Sequence, residues 1–141
     1  MQRRKAREAA LQALFQVDVG KAAVDAAVTY AVSLNDLTED TAEFCRSIVN
    51  GVMVNQGQID EIISQLAVDW SLERLGNVDR NILRIALYEL LHRSDIPEGV
   101  AINEAVEIAK DFSDADSARF VNGILGQFSR DRNHGVGDRE G

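Results

Sequence analysis

Arg3, Arg4, Lys5 and Arg7, in the stretch "RRKAREAALQALFQ" (residues 3–16), place four of the fifteen basic residues of the chain within five positions. Cationic groups packed this closely suit a polyanion, because several phosphates of one backbone can be met at once. The cluster carries +4 in a chain of net charge −8, which leaves −12 on the rest. That balance opposes broad, charge-driven nucleic-acid binding and confines any such contact to a local patch. The segment itself reads as a helix, with Ala6, Ala10, Ala13, Leu14 and Val17 recurring at three- and four-residue steps. A helix amino terminus already carries partial positive charge, so cations there oppose its dipole. The compensating charge is therefore expected from outside the chain. The plainer alternative is a solvated terminus with no ligand.

The elements that must position this cluster read as helices throughout. The chain has one proline, Pro97, and few alternating β-branched runs. The first helix covers about 3–17 and ends near Asp18–Gly20, and an Ala-rich second covers about 21–34. Thr38 is a candidate cap for a third, with Phe44, Ile48 and Val52 four apart and Cys45 and Val49 flanking them. Gly57 precedes a short fourth helix with Ile59, Ile62, Ile63 and Leu66. "VDWSLERLGNVDR" (68–80) reads as a connector, in which Ser71 caps one turn holding Leu72 and Leu75, and Gly76-Asn77 ends it. Trp70 is expected to anchor the two halves.

The segment 79–92 differs in kind. Eight of the ten residues from Ile82 to Leu91 are apolar or aromatic, which predicts a central helix buried around most of its circumference. Arg80, Arg84 and Tyr88, four apart, form its narrow polar stripe, expected to be exposed. After the loop "RSDIPEG" comes a sixth helix with Ile102, Val106 and Ala109 inward. "SDADS" supplies the cap for a seventh with Val121, Ile124, Leu125 and Phe128 inward. Residues after Arg130 are polar, include three glycines and are expected to be disordered. The organisation is thus 1–67, then 68–130, then a tail over 131–141. No apolar run approaches the ~20 residues of a membrane span. With Cys45 as the single cysteine no internal disulfide is available, which fits a reducing cytoplasm. One cysteine with His92 and His134 is too few soft ligands for zinc.

Four stretches, "RRKAREAALQALFQ", "VDRNILRIALYELL", "IPEGVAINEAVEIAK" and "FVNGILGQF", resemble in order and spacing the matching stretches of the NusB family of bacterial transcription antitermination factors. The resemblance spans residues 2–130. It implies an all-α fold of about seven helices in two packed three-helix bundles, a binding activity without catalysis, and no cofactor. It implies pairing with NusE, a small ribosomal protein, and binding of boxA, a short single-stranded RNA element of rRNA leaders. Other Nus factors and the RNA polymerase complex follow as further partners, with a homodimer as one form of the free protein. By position, Arg3, Arg4, Lys5 and Arg7 match the family's arginine-rich motif that meets the RNA backbone. Gln12 and Phe15 are RNA candidates on the same helix, Phe15 standing where many relatives carry Tyr. Phe15 is either a stacking platform or a core residue. Asp116 and Phe120 match a second RNA-facing spot. Asp116 can accept from a base amino group, cap its helix, or do both. The NusE contact is placed around Asp79, Arg80, Arg84 and Tyr88, with Asp79 foremost, the plainer reading being intrahelical pairing. Buried asparagines satisfying loop backbone account for Asn103 and Asn122, and Cys45 packs as a small hydrophobe.

Two other functions compete. NusB-like bundles also form the amino-terminal domain of rRNA cytosine methyltransferases, but that reading requires a Gly-rich cofactor loop and a catalytic Cys in a following domain. No G-x-G-x-x-G occurs here, and Cys45 is the single cysteine. A pure protein-interaction module with an incidental basic arm is the third, and it predicts no salt-sensitive RNA binding.

Overall fold

The most apolar stretch of the sequence becomes the axis of the fold. The computed structural model describes residues 3–67 and 75–140, with side chains through residue 133. Among these residues the chain forms α1 (Arg3–Asp18), α2 (Val24–Leu34), α3 (Glu39–Val54), α4 (Gln56–Leu66), α5 (Asn77–His92), α6 (Glu98–Phe112) and α7 (Ala115–Glu140), and no strand. Every residue of α5 from Asn81 to Glu89 is buried, and α5 packs against α1, α3, α4, α6 and α7. Helices α1, α2 and α3 pack on one another, as do α5, α6 and α7. The result is the pair of three-helix bundles. α4 packs against α5 and α7 as well as α3.

Local chemistry sets several helix ends. The Thr38 hydroxyl accepts from the Thr41 amide at 3.5 Å, and Glu39 and Asp40 add favourable charge to the first turn of α3. One residue, Asn55, separates α3 from α4. Its amide donates back to Gly51 O at 3.1 Å and its carbonyl accepts from Ile59 N at 3.0 Å. α2 begins later than its apolar spacing suggests, because Lys21 adopts a left-handed φ of 56° that a helix cannot contain. Gly76 and Asn77 open α5, where they were expected to close the connector's turn. The expectations for Trp70, Ser71 and Leu72 lie outside the described residues, while Leu75 is buried. α7 continues past Arg130, where a disordered tail was expected. Arg132 holds this extension down, donating to Leu90 O at 2.6 Å and to Glu98 at 2.5 Å. Cys45 is fully buried, and burial pushes its thiol up to about 11, so it serves as packing.

The α3–α5 crossing depends on a missing side chain. A Cβ on Gly51 would lie 2.2 Å from the Tyr88 ring, so the two helices approach closer than any other residue permits. Gly51→Ala must displace a buried ring in a well-packed core. It is expected to destabilise the fold by ~1–3 kcal/mol, read as a lower urea midpoint. Tyr88→Leu in the same chain should recover part of the loss.

Candidate nucleic-acid interface

The charges of α1 run against its dipole at both ends, cations at the start and Asp18 in the last turn. The chain itself answers most of this. Arg7 is buried, its side chain 4% exposed, and its guanidinium donates to both oxygens of Glu89 on α5 at 2.9 and 2.7 Å. It also lies 3.5 Å from Glu104 on α6. Arg4 forms a second two-pronged pair with Glu104, Nε to Oε1 at 3.0 Å and Nη2 to Oε2. At the other end, Asp18 accepts from Arg80 at 2.6 Å, Asn81 at 3.1 Å and Arg84 at 3.3 Å. Burial works to raise the Asp18 carboxyl, but these donors outweigh it and hold it below the usual carboxylate range. α1 and α5 are therefore clamped antiparallel by polar contacts near both ends.

The cluster accordingly divides. Arg7, expected to meet RNA, is a buried structural cation. Arg3 is half-buried, with its guanidinium 4.4 Å from the centre of the Phe44 ring, against which Arg7 and Arg93 also lie at 5.2 Å. Arg4 and Lys5 are exposed. The expectation that compensating charge comes from outside the chain is corrected for Arg4 and Arg7, whose counter-ions are Glu104 and Glu89. Nothing in the local sequence pattern marks Glu89 or Glu104 for this role.

Farther along α1, Gln12 is half-buried, and its side-chain oxygen accepts from Asn35 at 2.8 Å. Phe15 is half-buried. Its exposure lies between the two roles open to it. Asp116 is exposed and pairs with Arg119 on its own helix. It does not cap α7. Asp114 does, accepting from the Ser117 amide at 2.7 Å, so one of the two roles open to Asp116 is taken. Phe120 is half-buried against the core. Asn103 and Asn122, expected to be buried, are exposed.

The stripe of α5 is not exposed. Arg84 is buried between Asp18 and Asp60, donating to both Asp60 oxygens at 2.8 and 2.9 Å. Tyr88 is buried beside Gly51, and Arg80 is half-buried on Asp18. Their spacing reads as a surface stripe, but the opposing carboxylates come from α1 and α4, so polar groups pair inside the fold. Asp79 differs from these three. Its Oδ2 accepts from the Ser117 hydroxyl at 3.0 Å, while its Oδ1 is buried with no hydrogen-bond partner among the described residues. The Asp79–Ser117 contact joins the first turn of α5 to the first turn of α7, next to Asp116.

Burial raises the Asp79 carboxyl above its ordinary value, the Ser117 hydrogen bond works against this, and the charge of Asp114 adds to it. A carboxyl raised on folding contributes stability that is fully present below its unfolded pKa and is lost as pH rises through its folded pKa. Asp79→Asn removes the titration. Its stability relative to the parent is expected to increase as pH rises across the carboxylate range, measured by thermal melts from pH 4 to 7.

Residues 4–130 match the model of the NusB family. The chain belongs to the NusB family. The transcription antitermination protein NusB of Bacillus subtilis is 48% identical over 131 residues, covering 93% of this chain and 97% of that one. NusB of Heliobacterium modesticaldum is 47% identical over 139 residues, 99% of this chain and 68% of its own. Among solved structures, NusB of T. maritima superposes with a TM-score of 0.85 at 38% identity, covering 92% of each chain. A structure of the antitermination factors NusB and NusE in complex with double-stranded RNA gives a TM-score of 0.82 at 27% identity, covering 89% of this chain and 93% of that one. NusB proteins are antitermination factors and not enzymes, which removes the methyltransferase reading. No helix among the described residues is long and apolar enough to cross a membrane.

Proposed function

We propose that this chain is a cytoplasmic, RNA-binding antitermination factor that pairs with NusE and binds the single-stranded boxA element of rRNA leaders, within the assembly of other Nus factors and RNA polymerase. The observation that carries this reading is the exposure of Arg4 and Lys5 on the first turn of α1, in a chain whose remaining charge is strongly negative. The NusB–NusE–RNA neighbour supports it by fold. Lys5, Arg4 and Arg3 meet phosphates, Arg7 fixes the helix that carries them, and Gln12, Phe15, Asp116 and Phe120 face bases. Single-stranded RNA is read by such stacking and edge contacts. Asp79 is the foremost NusE contact, a half-buried carboxylate that joins the first turns of α5 and α7 through Ser117. Arg80, Arg84 and Tyr88 act through the interior, holding α5 in register.

The mechanism is assembly: each partner supplies part of one RNA surface, so binding of NusE and of RNA are linked. Fluorescence anisotropy with a boxA-type RNA and a scrambled control, with and without NusE, tests it. NusE is expected to tighten boxA binding by roughly 5- to 150-fold, the usual range of such coupling, and the scrambled RNA far less. Binding indifferent to both NusE and sequence would leave an interaction module whose basic arm is incidental.

A further inference from the structure

We propose that Glu104 is an intramolecular competitor of the RNA phosphate for Arg4, and so a residue that sets RNA affinity. The inference rests on the RNA reading above. A carboxylate and a phosphate present the same paired oxygens to a guanidinium, and both Arg4 prongs, Nε and Nη2, are already engaged by Glu104. The pair sits at the rim, with Arg4 44% and Glu104 15% exposed, where a flexible side chain can exchange one oxyanion for another.

Glu104 is not stranded when Arg4 leaves. Arg7 Nη1 lies 3.5 Å from the same carboxylate, held in place by its own pair with Glu89. Handing Arg4 to a phosphate therefore avoids the penalty of an orphaned, largely buried charge. The surroundings are acidic as well, but without hydrogen bonds to Arg4 among the described residues. Glu107 and Asp111 follow Glu104 along α6 and also act on Arg4. Glu8 on α1 is raised by burial and by the charge of Asp111, with Arg4 and Lys5 working against this. Phosphate thus approaches Arg4 alongside a row of carboxylates, of which Glu104 alone has hydrogen bonds to it among the described residues.

The test is RNA anisotropy at fixed low salt with a labelled boxA-type RNA and NusE present, run as a double-mutant cycle. Glu104→Gln is expected to tighten binding about three- to fivefold, the worth of a rim ion pair. In an Arg4→Gln background the same change should alter affinity by less than about 1.5-fold, as should Glu107→Gln alone, which removes equal charge without touching the Arg4 fork. Glu104→Asp keeps the charge but withdraws the carboxylate by one methylene, and it too should tighten binding. It serves if Glu104→Gln folds poorly. An equal gain from Glu104→Gln with and without Arg4, or no gain, overturns the competition while leaving RNA binding intact. No binding of RNA by the parent or any variant overturns the RNA reading and this inference with it.

Discussion

Arg7→Met is expected to destabilise the fold by about 3–5 kcal/mol, because it leaves the Glu89 carboxylate buried in the central helix without its principal counter-charge. Both partners are almost fully enclosed, 4% and 1% exposed, and joined by two hydrogen bonds. Removing both charges is a different perturbation. In Arg7→Met/Glu89→Leu the site becomes apolar at similar volume, and such replacements of buried pairs are often neutral or stabilising. The double variant should therefore recover most of the loss, giving a large coupling energy in a double-mutant cycle. Urea unfolding followed by far-UV circular dichroism measures all three. A loss below about 1 kcal/mol for Arg7→Met, the scale of an exposed pair, would mean that Arg7 is not committed to the interior.

What the sequence makes legible here is apolar, and what it hides is the pairing of charges. The run from Ile82 to Leu91 announces a central helix, since residues apolar on every side must be covered on every side. The small residues of α1 mark its inner face in the same way, and Ala6, Ala9, Ala10 and Ala13 are all fully buried. Arg4, Arg7 and Arg84 are placed by carboxylates from other helices. Glu89 is 82 residues from Arg7, and Glu104 is 100 residues from Arg4. Local patterning carries no information on such partners. A cationic run at a helix start therefore looks like a ligand site in its entirety, although Arg4 and Arg7 have counter-ions within the fold. Arg84 was misread for the same reason: polarity predicts exposure only until a partner from another element satisfies it, whereas Tyr88 is buried by packing against Gly51 of α3. Asp79 was singled out by resemblance alone, and the structure adds a physical feature to it, a buried carboxylate oxygen with no donor among the described residues.

Neutralising Arg3, Arg4 and Lys5 together is expected to flatten the salt dependence of RNA binding by about 2 in the log–log slope, at ~0.7 for each phosphate contact with a single strand. Arg7 stays in place in this variant, so the change counts only the contacts of the three side chains removed. The triple variant should fold, because Arg4 and Lys5 are exposed, Arg3 is half-buried and the Arg7–Glu89 pair is left intact. Its loss of affinity should be largest at low salt and shrink as salt rises, since the removed interactions are electrostatic. The measurement to make first is anisotropy of a boxA-type RNA with NusE across a salt series, for the parent and for Arg3→Gln/Arg4→Gln/Lys5→Gln. A slope shallower by about 2, with binding weakened throughout, is the predicted result. Parallel slopes at unchanged affinity would contradict it, and would place the RNA on a surface other than the first turn of α1.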